Sequence, residues 1–146
     1  MPNTSHVPFF RKILVGYDGS LLGERAVDVA LRLSRCEGAS VSVLAVARPS
    51  EPATSVELEA VLDDAREHYE AGLQKIVGRA NELGVEVSVD IVVGHPAEQL
   101  IHRAEVEHAD LIVVGRRGTS LFQKAILGSV SERVLRYAHC PVLLVK

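Results

Sequence analysis

Apolar residues in this chain fall into two alternating kinds of run. Short continuous stretches rich in Val, Ile and Leu recur at 13–15, 41–46, 111–114 and 142–145. Runs of that kind predict strands buried on both faces. A further stretch alternates Val85, Val87, Val89 and Ile91 with polar residues, which predicts a strand with one wetter face at a sheet edge, completed by Val92, Val93 and Gly94. Between these runs the apolar period lengthens to three or four. Ala26, Val27, Ala30, Leu31 and Ser34 predict a helix through about Cys36, with Gly38 just beyond its end. From 56 to 83 one long amphipathic stripe ends at Gly84, and Pro96 suits the first position of a third helix whose Ala97, Leu100, Ile101 and Ala104 face inward. A fourth helix is predicted over about 129–138. Asp18-Gly19-Ser20 and the proline-bearing stretch 48–52 punctuate the chain as turns.

Five strands alternating with four helices predict one α/β domain, a doubly wound parallel sheet with right-handed crossovers and helices on both faces. The 146 residues suit a single domain over 11–146, preceded by a loose tail, 1–10, whose Phe9 and Phe10 fold back on the body. With 47% hydrophobic and 24% charged residues the chain is not disordered. A net charge of −3 without a basic run argues against nucleic acid and anionic membrane surfaces as partners. Cys36 and Cys140 belong to no paired spacing and read as free thiols, and the six histidines show no metal-ligand spacing, so no metal centre is expected. Neither a signal peptide nor a membrane-length apolar run is present, which points to the cytoplasm.

Candidate chemistry gathers in 111–133, LIVVGRRGTSLFQKAILGSVSER. Gly115 and Gly118 follow a predicted strand, and Gly128-Ser129 opens the next helix. Glycine reaches positive φ cheaply and lets peptide N–H groups approach an oxygen-rich ligand, and the first amides of a helix lack internal partners. Two such points can grip one anion. Ser129 to Glu132 fits a capping box, with Ser129 as N-cap and Glu132 reaching back; a capping hydroxyl at Ser129 leaves its N–H for phosphate. Val130 and Ser131 carry the loop into the helix, where the Ser131 hydroxyl adds a further phosphate contact. Hydrogen bonds to charged groups contribute roughly 1.5–3 kcal/mol each. Three or four therefore suffice for micromolar binding, about 8 kcal/mol.

The spacing G-x2-G-x9-G-S, at Gly115, Gly118, Gly128 and Ser129, resembles the nucleotide signature of universal stress proteins. The run KILVGYDGS at 12–20 resembles that family's first strand and its aspartate, and CPVLLV at 140–145 its last strand, so the resemblance spans about 11–146. It implies a strand order 3-2-1-4-5, ATP as ligand with Mg²⁺ accompanying it, adenine recognition by backbone at Val46, and a homodimer through antiparallel pairing of the last strand. In that order the winding reverses beside the first strand, next to Asp18 and the glycines. Asp18 is then available to a ribose hydroxyl, the adenine edge or Mg²⁺.

Plainer readings stand beside these. Asp-Gly-Ser is also an ordinary helix start, Val46 alone reads as core, and glycines after a strand are common turn residues. Arg116 and Arg117 read as solvated. Walker lysine and GxGxxG are absent, and no catalytic base, arginine finger or glutamine can be assigned, so no catalytic residue is named. The resulting expectation is a nucleotide-dependent stress-response regulator or sensor in which occupancy orders residues 119–127, with slow ATP hydrolysis at most. ATP, ADP, AMP and cyclic AMP all remain open, although a triphosphate uses both glycine anchors. The alternatives are a nucleotide-free dimeric interaction module and a weak ATPase. Residues 142–145 support the dimer independently, being a continuous apolar edge without proline or charge.

Overall fold

A computed structural model describes residues 5, 7–51, 53–116 and 127–146. The elements follow one another as β1 (Lys12–Tyr17), α1 (Leu21–Glu37), β2 (Ser40–Ala47), α2 (Ser55–Leu83), β3 (Val87–Val93), α3 (Pro96–Glu107), β4 (Leu111–Gly115), α4 (Ser129–Tyr137) and β5 (Val142–Val145). All strand pairs are parallel, in the order β3-β2-β1-β4-β5.

Continuous apolar strands arise because helices cover both faces of the sheet. Ile13, Val15 and Tyr17 of β1 enter one core with Ala26, Val27, Ala30 and Leu31 of α1 and Leu73, Ile76 and Ala80 of α2. Leu14, between them in sequence, enters the other core with Leu100 and Ala104 of α3 and Val134 of α4. The strand centre is thus apolar at every position, whichever way each side chain points.

The helix ends follow local chemistry. Gly38 and Gly84 close α1 and α2 in the left-handed conformation, as predicted, whereas α3 ends on His108, with φ 55°, where no glycine marks the stop. Ser20 caps α1, accepting from the Gly23 amide at 3.1 Å. A complete capping box opens α2: the Thr54 amide donates to the Glu57 carboxylate at 2.5 Å, and the Glu57 amide donates to the Thr54 hydroxyl at 3.3 Å. These bonds hold the Glu57 carboxyl below its usual range.

Two boundaries depart from expectation. β3 begins at Val87, because the chain around Val85 is still turning out of α2. In the tail, Phe10 packs against the α1–α2 core, but Phe9 stays exposed. Its amide is instead held by Glu37 at 2.6 Å.

Leu14→Ala, in the strand that both cores share, is expected to lower the unfolding free energy by about 2–5 kcal/mol. Val106→Ala, on the exposed side of α3, should change it by less than about 0.5 kcal/mol. Urea denaturation of the two variants measures the contrast, and similar losses would contradict a core centred on β1.

Candidate functional site

Helix α1 connects β1 to β2 and α2 connects β2 to β3, whereas β4 returns to the other side of β1. The loops leaving the carboxyl ends of β1 and β4 therefore part in opposite directions, and a crevice opens between them. It forms a cleft of about 520 Å³, within the range of small-molecule sites. Among the described residues Asp18, Val46, Gly115, Gly128, Ser129, Val130 and Ser131 all line it. Gly118 and Arg117 lie outside the described residues.

The carboxylate of Asp18 is half committed. Its Oδ1 accepts from the Ser20 amide at 2.9 Å and from the Ser20 hydroxyl at 2.5 Å, tying the end of β1 to the cap of α1. No bond of Oδ2 occurs among the described residues, which leaves that oxygen for a ligand. Gly19 turns between them with φ 78°. Gly23 must lack a side chain, since a Cβ there would lie 2.6 Å from Asp18 Oδ1.

At the end of β4, Gly115 is required for approach and not for φ. A Cβ at this position would lie 2.9 Å from the Leu22 Cβ and 3.0 Å from its carbonyl carbon. The sheet and α1 therefore meet closely beside the cleft. The buried Ser131 hydroxyl donates to the Gly115 carbonyl at 2.6 Å, fastening the first turn of α4 to the end of β4. The expected phosphate contact from that hydroxyl is corrected accordingly: its proton is already directed to a backbone acceptor.

A second correction concerns the start of α4. Gly128 is the N-cap, with φ −71° and ψ 157°, and Ser129 is the first helical residue. No side chain caps this helix, so the predicted box from Ser129 to Glu132 does not form. Gly128 is in an extended conformation open to any residue, and its amide donates to the Arg116 carbonyl at 2.8 Å. The amides left to an anion are those of Ser129, Val130 and Ser131, at the positive end of the helix. Arg116 is partly exposed, with its Nε buried and without a hydrogen-bond partner among the described residues.

The remaining wall was not visible in the sequence pattern. Gly16, Leu44, Leu100 and Val114 form an apolar floor, and Arg48, Tyr69 and Pro96 stand at the rim. Burial, followed by the nearby charges of Glu24 and Asp18 and by Tyr69, raises the Tyr17 phenol above its ordinary value of 10.0; burial and then Asp18 raise that of Tyr69. Among the described residues, Asp18 is the sole carboxylate and Arg48 the sole cation lining the cleft. No group of three or more His, Cys, Asp or Glu side chains among them is placed to hold a metal ion. Cys36 and Cys140 are both free, and burial pushes the Cys140 thiol up. No helix among the described residues is long and apolar enough to cross a membrane.

Comparison with known proteins gives a consistent result. Residues 9–146 match the sequence model of the universal stress protein family. The universal stress protein YxiE of Bacillus subtilis is 34% identical over 147 residues, covering 94% of this chain and 99% of that protein. A second universal stress protein, from Methanocaldococcus jannaschii, is 34% identical over 141 residues, covering 94% and 82%. Among solved structures, UspA from Lactobacillus plantarum superposes with a TM-score of 0.85 at 23% identity, covering 94% of this chain and 98% of that one, which is a likeness of fold. A universal stress protein in complex with cAMP superposes at 0.74, with 30% identity and coverage of 94% and 97%.

Ser131→Ala removes the bond to the half-buried Gly115 carbonyl and is expected to cost about 0.5–1.5 kcal/mol in chemical denaturation. A negligible loss would show that the hydroxyl does not hold α4 to β4. At alkaline pH the sign follows from Tyr17. Its phenol is raised in the folded state, so its contribution is complete below pH 10 and is lost as pH rises through the folded value. Tyr17→Phe should therefore lessen the alkaline fall in melting temperature.

Proposed function

The chain belongs to the universal stress protein family, and from that premise we propose that it binds an adenine nucleotide, ATP making fullest use of the cleft, and acts as a nucleotide-dependent regulator or sensor. The observation that carries this reading is the uncapped N-terminus of α4, opening into the cleft beside Gly115 and Asp18. The amides of Ser129, Val130 and Ser131 supply the phosphate contacts, and Gly118 joins them through the resemblance to the family signature. Val46 meets the adenine with its backbone, and the free oxygen of Asp18 meets the ribose. Mg²⁺ accompanies the triphosphate through the phosphate oxygens, since the one free oxygen of Asp18 is given to the ribose. The 30%-identical relative solved with cAMP supports an adenine nucleotide as the ligand class.

The cleft is built to hold and not to turn over. Asp18 is its sole carboxylate among the described residues and already anchors Ser20, so it is a poor general base. Hydrolysis, where it occurs, is slow. A signalling role suits such a site, because occupancy joins the α4 turn to the ends of β1 and β4, and so changes what the protein offers a partner; the expected ordering of 119–127 falls, but for residue 127, outside the described residues. Regulation of this kind fits a protein of one domain and a location in the cytoplasm.

The sheet edges support a dimer. At the β3 edge, Asp90 is paired with Arg103 of α3 at 2.5 Å. At the β5 edge, VLLV carries no charge, and Leu143 is exposed. Two copies pairing along Val142–Val145 would cover it.

Mass spectrometry of nucleotide released from freshly purified, denatured protein, with ATP and cAMP calorimetry on wild type and Gly118→Val, tests the binding. Bound ATP, or micromolar affinity lost in the valine variant, is expected. No nucleotide and no heat would leave a nucleotide-free interaction module. Sedimentation at micromolar concentration should give a dimer for wild type and a monomer for Leu143→Lys; a wild-type monomer would refute the edge pairing.

A further inference from the structure

One wall of the cleft comes from α2, which none of the glycine positions implicates. Tyr69 lines the cleft together with Ala47 and Arg48, at the end away from α4. Three strand ends lie side by side there in the order β2, β1, β4. Strands in a sheet are about 4.8 Å apart, so the β2 end is roughly 10 Å from the β4 end. The α4 amides draw the phosphates to the β4 side. The base is left to the β2 side, where Val46 and the ring of Tyr69 are found.

Tyr69 packs there against the end of β1. Its ring meets Tyr17 edge-on, with centroids 6.1 Å apart at 61°, and Gly19 lies beside it, where an added Cβ would only reach ordinary contact with Cε1. One turn further along α2, Gly72 faces the Tyr17 hydroxyl so closely that a Cβ would collide with it. The missing side chain at Gly72 lets α2 rest on the end of β1, which brings Tyr69 to the cleft. Leu73, Ile76 and Ala80 supply the buried contacts of this helix, whereas Tyr69 keeps part of its ring uncovered.

We propose that Tyr69 is a specificity-determining residue that stacks on the base of the bound nucleotide, and that Gly72 and Tyr17 are the positioning residues that hold it. The proposal rests on the nucleotide reading above and adds the source of base affinity. A phosphate chain without a base gains nothing from the Tyr69 ring, and a nucleotide does.

Inorganic tripolyphosphate separates the two halves of the site, because it carries the anion and lacks the base. Calorimetry with ATP and with tripolyphosphate on wild type, Tyr69→Phe, Tyr69→Leu and Gly72→Ala provides the test, with circular dichroism confirming that each variant folds. In Tyr69→Leu, ATP affinity should fall about tenfold to a hundredfold, the loss of one base–aromatic stack, with tripolyphosphate affinity unchanged. Tyr69→Phe should stay within about twofold of wild type, since the π face is retained. Gly72→Ala should narrow the ratio of ATP to tripolyphosphate affinity. The chain has three tyrosines and no tryptophan, so tyrosine emission should respond to ATP and not to tripolyphosphate. Undiminished ATP binding by Tyr69→Leu would overturn the stacking role and leave the nucleotide reading standing. A wild type that binds neither ligand would remove both.

Discussion

Strand β1 is buried on both faces and paired along both edges, and this double enclosure is the constraint from which the rest of the architecture follows. Its register runs against Ser40 to Ala45 on one side and Leu111 to Val113 on the other. A parallel strand cannot be reached by a tight hairpin, so each neighbour needs a helical crossover. Placing neighbours on both sides of the first strand forces the winding to change direction. The crevice at its carboxyl end is the geometric result of covering β1 completely.

Backbone proximity, more than side-chain chemistry, shapes that crevice. Gly23 makes room for the Asp18 carboxylate, Gly115 for Leu22, and Gly72 for the Tyr17 hydroxyl. The Ser131 hydroxyl and the Gly128 amide then secure the return of the chain beside β4. These contacts spend donors on the scaffold and leave the first amides of α4 facing outward. Rigid placement of a few unspent donors is how a site selects an anion without a lysine.

Most of the fold was legible because periodicity reports burial directly. All nine described elements, and the edge position of β3, follow from where apolar residues fall; the strand order, and with it the edge position of β5, came from the family resemblance. Local hydrogen bonding was harder to read. Ser129 and Thr54 both begin a box-like sequence, yet only Thr54 forms one, because Gly128 takes the cap position at α4 and the hydroxyl-bearing residues there lie inside the helix. Ser131 looked like a ligand contact, but its burial against Gly115 directs it inward. The glycines were found for a partly mistaken reason: Gly115 and Gly128 do not use positive φ. Tyr69 carried no sequence signal of its own. Its place depends on Gly72 meeting Tyr17 across 55 positions of chain, counted as 72 less 17, and no local pattern encodes such a meeting.

The length of α2 has a consequence for how firmly its two halves are held. Twenty-nine residues of helix extend about 43 Å, whereas the eight residues of β2 extend about 26 Å. The helix therefore outruns the sheet it covers. Its buried residues begin only at Ala65, and Val56 is 75% exposed. The C-terminal half shares the stability of the core, but the N-terminal turns rely on the Thr54–Glu57 cap. Because that cap favours the ionised Glu57, its support is present above the ordinary carboxylate range and fades as pH falls through the lowered folded value. One continuous helix thus spans two grades of local stability, with a free end that acid can fray while the sheet beneath remains intact.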